Sequence, residues 1–91
     1  MSGTEARIAA EIRTLLAARA PDASICPSEV ARRLCASDHW RDAMPDVRRV
    51  ARALAADGLL RITQGDTVLD PADNAAPGPI RLRRGPQWRA T

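Results

Sequence analysis

The chain has no lysine, no phenylalanine and no tyrosine; it has one histidine, two cysteines and no long apolar run. Each shortage excludes something. With no stretch near the roughly 18 apolar residues that cross a bilayer, no transmembrane helix and no membrane partner are expected. The N-terminus lacks a basic segment followed by an apolar one, so no signal peptide is read. A cytoplasmic location follows as the expectation, and there the two cysteines stay reduced. Cys26, Cys35 and His39 stand as C-x8-C-x3-H, a spacing that no usual zinc site has. If the span between the cysteines is helical, its nine steps turn the chain by about 900° and set the two thiols on opposite faces. Neither a metal nor a disulfide is expected, and no cofactor.

What remains is a small aliphatic chain. Ninety-one residues make one domain, and 45% of them are hydrophobic, but 18 are alanine, which fills little volume. Five Ile, eight Leu and four Val, with Trp40, Trp88 and Met44, suit three short helices and a small sheet. A deep substrate cavity has no room. All 14 basic residues are arginine and the net charge is +3. Abundant alanine and arginine together fit a GC-rich genome, so the arginine count by itself argues little for phosphate binding. Residues 1–25 are neutral in sum, 26–57 carry +1 and 58–91 carry +2. That excess permits nucleic-acid contact without demanding it.

Periodicity orders the elements. Thr4 can cap a first helix whose apolar face is Ile8, Ile12, Leu15 and Leu16, and Pro21-Asp22 end it. Ala23-Ser24-Ile25 reads as a short extended link. In Cys26-Pro27-Ser28-Glu29, Pro27 fits the first helical position and Glu29 can reach back to the Cys26 N–H, as in a capping box. Val30, Ala31 and Leu34 are the buried stripe of this second helix, which is expected to end near Ala36. Ser37 to Trp40 reads as a turn. A third helix runs from about Arg41, or from Pro45, to Asp57, with Val47, Val50, Ala51 and Leu54 inward and Gly58 as its C-cap. The period then becomes extended. Leu59–Thr63 and Thr67–Leu69 flank Gln64-Gly65-Asp66 as a β-hairpin, Ala72 to Pro79 reads as a loop, and Ile80–Arg83 as an edge strand. This order is that of a winged helix-turn-helix domain, an α+β fold that is mainly α, with a three-helix bundle carrying an incidental hairpin as the competing fold. Residues 1–84 are expected as one winged-helix-like domain and 85–91 as a flexible C-terminal tail, where Trp88 is the residue able to pin it.

The elements SICPSEVAR (Ser24 to Arg32), Trp40, MPDVR (Met44 to Arg48), DGLLRITQGD (Asp57 to Asp66), Asp70-Pro71 and GPIRLR (Gly78 to Arg83) occur in that order. Together they resemble a family of short bacterial proteins classified as a domain of unknown function. The resemblance spans roughly Ile8 to Arg83 and implies a winged-helix-like fold and a bacterial origin, but no activity. One departure is Asp66 at the hairpin tip, where a basic or neutral residue is expected in relatives.

Catalytic chemistry finds little support. The dipole at a helix N-terminus can activate a cysteine, but a nucleophile needs a base, and His39 lies about 15 Å from Cys26 if ten helical residues separate them. Ser28 and Glu29 are adjacent and so point about 100° apart on a helix; capping explains both. No enzyme and no catalytic residue are expected. Cys26, Pro27, Ser28 and Glu29 are read as an architectural motif, and Trp40 as a core plug between the second and third helices.

The remaining candidate is a DNA-binding surface. Arg48, Arg49 and Arg52 lie on the non-core side of the third helix, with Arg41 just ahead. In a winged helix this element enters the major groove, where arginines contact phosphates or the O6/N7 edge of guanine. Arg61, Gln64, Arg81 and Arg83, with Arg84 beyond, can reach a neighbouring backbone. Against this stand Asp38, Asp42 and Asp46, which suit an ordinary salt-bridged face, and Asp66, which repels phosphate. Arg48 can instead point inward and hold the third helix to the second or to the C-terminal strand. The expectation is a DNA-binding module, with double-stranded DNA as partner and a regulatory use, or else a protein-interaction or dimerisation module on the same scaffold.

Overall fold

The computed structural model describes residues 3–35, 38–71 and 78–89. Its order is α1 (Gly3–Ala17), β1 (Ser24–Ile25), α2 (Pro27–Leu34), a 3-10 helix (Asp38–Ala43), α3 (Met44–Ala56), β2 (Leu60–Gln64), β3 (Thr67–Leu69) and β4 (Arg81–Arg84). The fold is α+β and mainly α. The first helix begins at Gly3, so Thr4 lies inside its first turn rather than capping it. Both expectations about Pro45 meet: a 3-10 helix stops at Ala43, and α3 starts beside the proline, which occupies its first turn and needs no N–H partner there.

The helices bury Ile8, Ile12 and Leu16 of α1, Val30 and Ala31 of α2, and Val47, Val50, Ala51 and Leu54 of α3. They close on Ile25, Leu60, Ile62 and Leu82 from the inner face of the sheet, all in one core cluster. Full burial of each Ile or Leu is worth about 1.5–3 kcal/mol. The third helix ends in a Schellman motif. Gly58, at φ 80°, donates its N–H to Ala55 O at 3.0 Å, and Leu59 donates to Leu54 O at 3.0 Å. A β-carbon at Gly58 would also lie 2.9 Å from Gln87 Cγ.

The sheet corrects one sequence expectation. Ile80–Arg83 was expected as an edge strand, but β4 lies inside an antiparallel sheet of order β1-β4-β2-β3. It pairs Ile25 with Leu82 on one side and Leu60, Arg61, Ile62 and Thr63 with Arg84, Arg83, Leu82 and Arg81 on the other. The edges are instead the two-residue β1 and the three-residue β3. The β2–β3 hairpin turns through Gly65-Asp66 with φ 60° at the glycine, the position that a two-residue type II′ turn requires to be glycine. It is an integral part of the sheet rather than an appendage to a bundle. The second helix ends at Leu34; Ala36, near which it was expected to end, Ser37 of the expected turn, and residues 72–77 of the expected loop lie outside the described residues.

Residues 85–89, expected as part of a flexible tail, lie against the sheet. Gly85 N–H donates to Leu59 O and Gln87 N–H to Gly58 O, both at 2.9 Å. A β-carbon at Gly85 would come within 2.3 Å of Gly58 O, so only glycine permits this approach. Trp88 packs against the core, with the Arg84 guanidinium 5.1 Å from its ring centroid.

Candidate nucleic-acid interface

The architectural motif is built as its residues suggest. Cys26 N–H donates to Glu29 Oε2 at 3.0 Å, the reach-back half of a capping box, and Ser28 Oγ donates to Cys26 Sγ at 3.0 Å. Pro27 is buried at the first position of α2. Neither cysteine is in a disulfide, and both are partly buried. His39 lies on the 3-10 helix with Nδ1 3.6 Å from Asp42 Oδ2. Among the described residues, no three His, Cys, Asp or Glu side chains form a metal-binding group. Trp40 is half-buried against the core, and the guanidinium carbons of Arg32 and Arg41 both lie 4.5 Å from its ring centroid. Arg41 is thereby held on tryptophan, a cation–π contact worth about 0.5–1 kcal/mol at an exposed site.

Six of the eight candidate DNA-binding residues separate into two surfaces, while Arg41 lies on Trp40 in the 3-10 helix and Gln64, by strand alternation, falls on the Leu60 and Ile62 side of β2. On α3, Arg49 is ion-paired to Glu5 of α1 and, at 3.2 Å, to Asp46 one turn earlier. Its pKa is raised above the ordinary arginine value by the hydrogen bond to Glu5 first and by that to Asp46 second. Arg48 turns toward the C-terminal segment and donates to Gly78 O at 3.5 Å. Arg52 is half-buried and has no ion-pair partner among the described residues. Two shallow hollows border this region. One of about 170 Å³ is lined by Arg7, Ile8, Cys35 and Asp46 among others, and one of about 90 Å³ lies beside Glu5 and Arg49.

The second surface is the outer face of the sheet. Strand alternation turns Arg61, Arg81 and Arg83 outward while Leu60, Ile62 and Leu82 turn into the core. Ser24, Arg83 and Arg61 form one row across β1, β4 and β2, and Arg81, Thr63 and Val68 form the next across β4, β2 and β3. Gln64 ends β2 at the turn. Arg81 donates to Ser24 Oγ at 2.9 Å and to Ser24 O at 3.1 Å, and Arg83 donates to Asp22 O at 2.7 Å. Arg61 is exposed. Among the described residues, no carboxylate lies within ion-pair distance of Arg61, Arg81 or Arg83.

Arg84 has a structural role that its place in the sequence does not signal. Arg84 lies beyond the outward row and donates its Nη2 to Leu16 O and Arg19 O, at 3.0 and 2.9 Å. A cation on the carbonyls of Leu16, in the last turn of α1, and of Arg19 just beyond it favours both hydrogen bonds and helix dipole. Its place at the end of an apolar-basic alternation carries no such signal, because the carbonyls it meets lie 65 or more residues earlier.

Residues 5–85 match the family described as a protein of unknown function, DUF3253. The chain belongs to this family. A search of curated proteins finds no match. The DUF3253 segment takes in both arginine surfaces and the capping motif, and it ends at Gly85, where the chain turns back onto Gly58 and Leu59. No described helix is long and apolar enough to cross a membrane.

Proposed function

We propose that this DUF3253 domain is a winged-helix module that binds double-stranded DNA, chiefly through its phosphates, and carries no catalytic activity. The observation that supports the reading best is that Arg52 on α3 and Arg61 on the hairpin lack acidic partners among the described residues. Both belong to elements that approach DNA in a winged helix. The element order helix, strand, helix, helix, hairpin supports it as well. Contacts of this kind position a protein on the duplex rather than read its sequence.

The test is fluorescence anisotropy of a labelled random duplex from low to physiological salt. Several arginines replacing counterions give a log affinity that falls linearly with log salt, with a slope of about −3 to −5. Absence of binding at low salt refutes the reading. A protein-interaction module is the second reading, favoured by one observation. Arg49, central to the outward side of α3, is already neutralised by Glu5 and Asp46, and a face so balanced suits a protein partner better than phosphate.

A further inference from the structure

The structure assigns the main duplex-binding surface to the outer face of the sheet rather than to α3. This inference rests on the DNA-binding reading and names the surface that would serve it. Arg61 and Arg83 are direct cross-strand partners. Like charges placed directly opposite one another destabilise a strand pair, so folding alone gives no reason to set them there. Arg81 stands two residues along β4 from Arg83, roughly 7 Å away at strand rise. Three cations thus occupy one sheet face, and none has a carboxylate within ion-pair distance among the described residues.

The arrangement is also preorganised. Arg81 and Arg83 are tethered to Ser24 and to Asp22 O. A guanidinium has five N–H donors, so each keeps donors for an incoming oxygen while its rotamer entropy is already partly lost. Beside them, Thr63 is 6% exposed and its Oγ1 has no hydrogen-bond partner. Val68, 59% exposed, closes that row. A polyanion with regular spacing fits this face. Phosphates of one duplex strand recur about every 3.4 Å along the axis, so the roughly 7 Å from Arg83 to Arg81 covers two of them. Single-stranded recognition uses aromatic platforms, and this face has none. Trp40 lies on the 3-10 helix and Trp88 packs on the core. Duplex backbone is therefore the ligand class.

The test compares two variants of the full chain by anisotropy on a labelled random 20-base-pair duplex across a salt series. Arg61→Gln/Arg81→Gln/Arg83→Gln is expected to weaken binding at least tenfold and to flatten the salt slope by about 2.7, three contacts' worth. Arg48→Gln/Arg49→Gln/Arg52→Gln is expected to cost no more than about threefold. Arg81 and Arg83 also brace β1, so Arg61→Glu serves as a variant with no tether to lose. It should fold with a melting temperature no lower than that of the unaltered chain, since it sets opposite charges across the strand pair, yet weaken binding and flatten the slope by about 1 or more. The reverse ranking, with the α3 variant losing tenfold and the sheet variants binding normally, overturns the sheet assignment and leaves the DNA reading standing. No binding of duplex by the unaltered chain at low salt overturns both. Equal binding of a labelled glutamate-rich peptide overturns the duplex class in favour of an acidic protein partner.

Discussion

The outward side of α3 and the outer face of the sheet each carry three arginines, but their surroundings give the two sets different jobs. On α3, Arg49 is enclosed by Glu5 and Asp46, Arg48 reaches a backbone carbonyl, and Arg52 stands without a partner among the described residues. On the sheet, Arg61 and Arg83 face one another, and Arg81 and Arg83 meet only neutral oxygens of the β1 segment. Arg48 and Arg49 of the first set join elements of the fold to one another. The second set has no carboxylate within ion-pair distance among the described residues. A residue type and a helical or strand face do not by themselves define a binding site; which acids the fold delivers to that face decides it.

If this contrast is right, damage to β4 should harm stability and binding together, whereas damage to the α3 ion pairs should leave stability alone. The largest effect is expected for Leu82→Ala, which empties the centre of the sheet's buried face. It should cost about 2–5 kcal/mol in urea unfolding and abolish duplex binding with the fold. Gly85→Ala comes next. Its β-carbon has no room against the Gly58 and Leu60 backbone, and overpacking of this kind costs about 1–3 kcal/mol. Arg84→Met removes a charged donor from the carbonyls of Leu16 and Arg19. It should cost about 1–2 kcal/mol by the same assay. Arg49→Gln is the smallest. Arg49 and Asp46 are exposed and Glu5 is only partly buried; pairs at the surface contribute little, so the melting temperature should hardly move. A large loss of stability in Arg49→Gln would break the contrast, because α3 would then depend on that pair.

Much of this fold was legible in the sequence because its signals are local. Pro27 and Glu29 announce the start of α2, Gly58 the end of α3, Gly65 the hairpin turn, and the helical period of Val47, Val50, Ala51 and Leu54 the inward side of α3. What was illegible depends on distant partners. Ile80–Arg83 reads as an edge strand because alternation reports which side chain faces inward, not how many strands flank the backbone. The 3-10 helix from Asp38 to Ala43 spans residues that read as the end of a turn, to Trp40, and the possible start of the third helix, from Arg41, because its polar residues give no apolar period. Asp46 is a readable neighbour of Arg49, but the pair with Glu5 is not, because Glu5 lies 44 residues away. The sheet arginines could be listed from sequence as one pool with those of α3, but only the register of β1, β4 and β2 sets them in a row of their own.

The most direct single measurement is a titration of the 15N-labelled chain with a random duplex at low salt, followed amide by amide. The account predicts that the largest shift changes fall on Arg61, Thr63, Val68, Arg81 and Arg83, with smaller ones along α3. Changes concentrated on Arg48 to Ala56, with β2 and β4 silent, would contradict it.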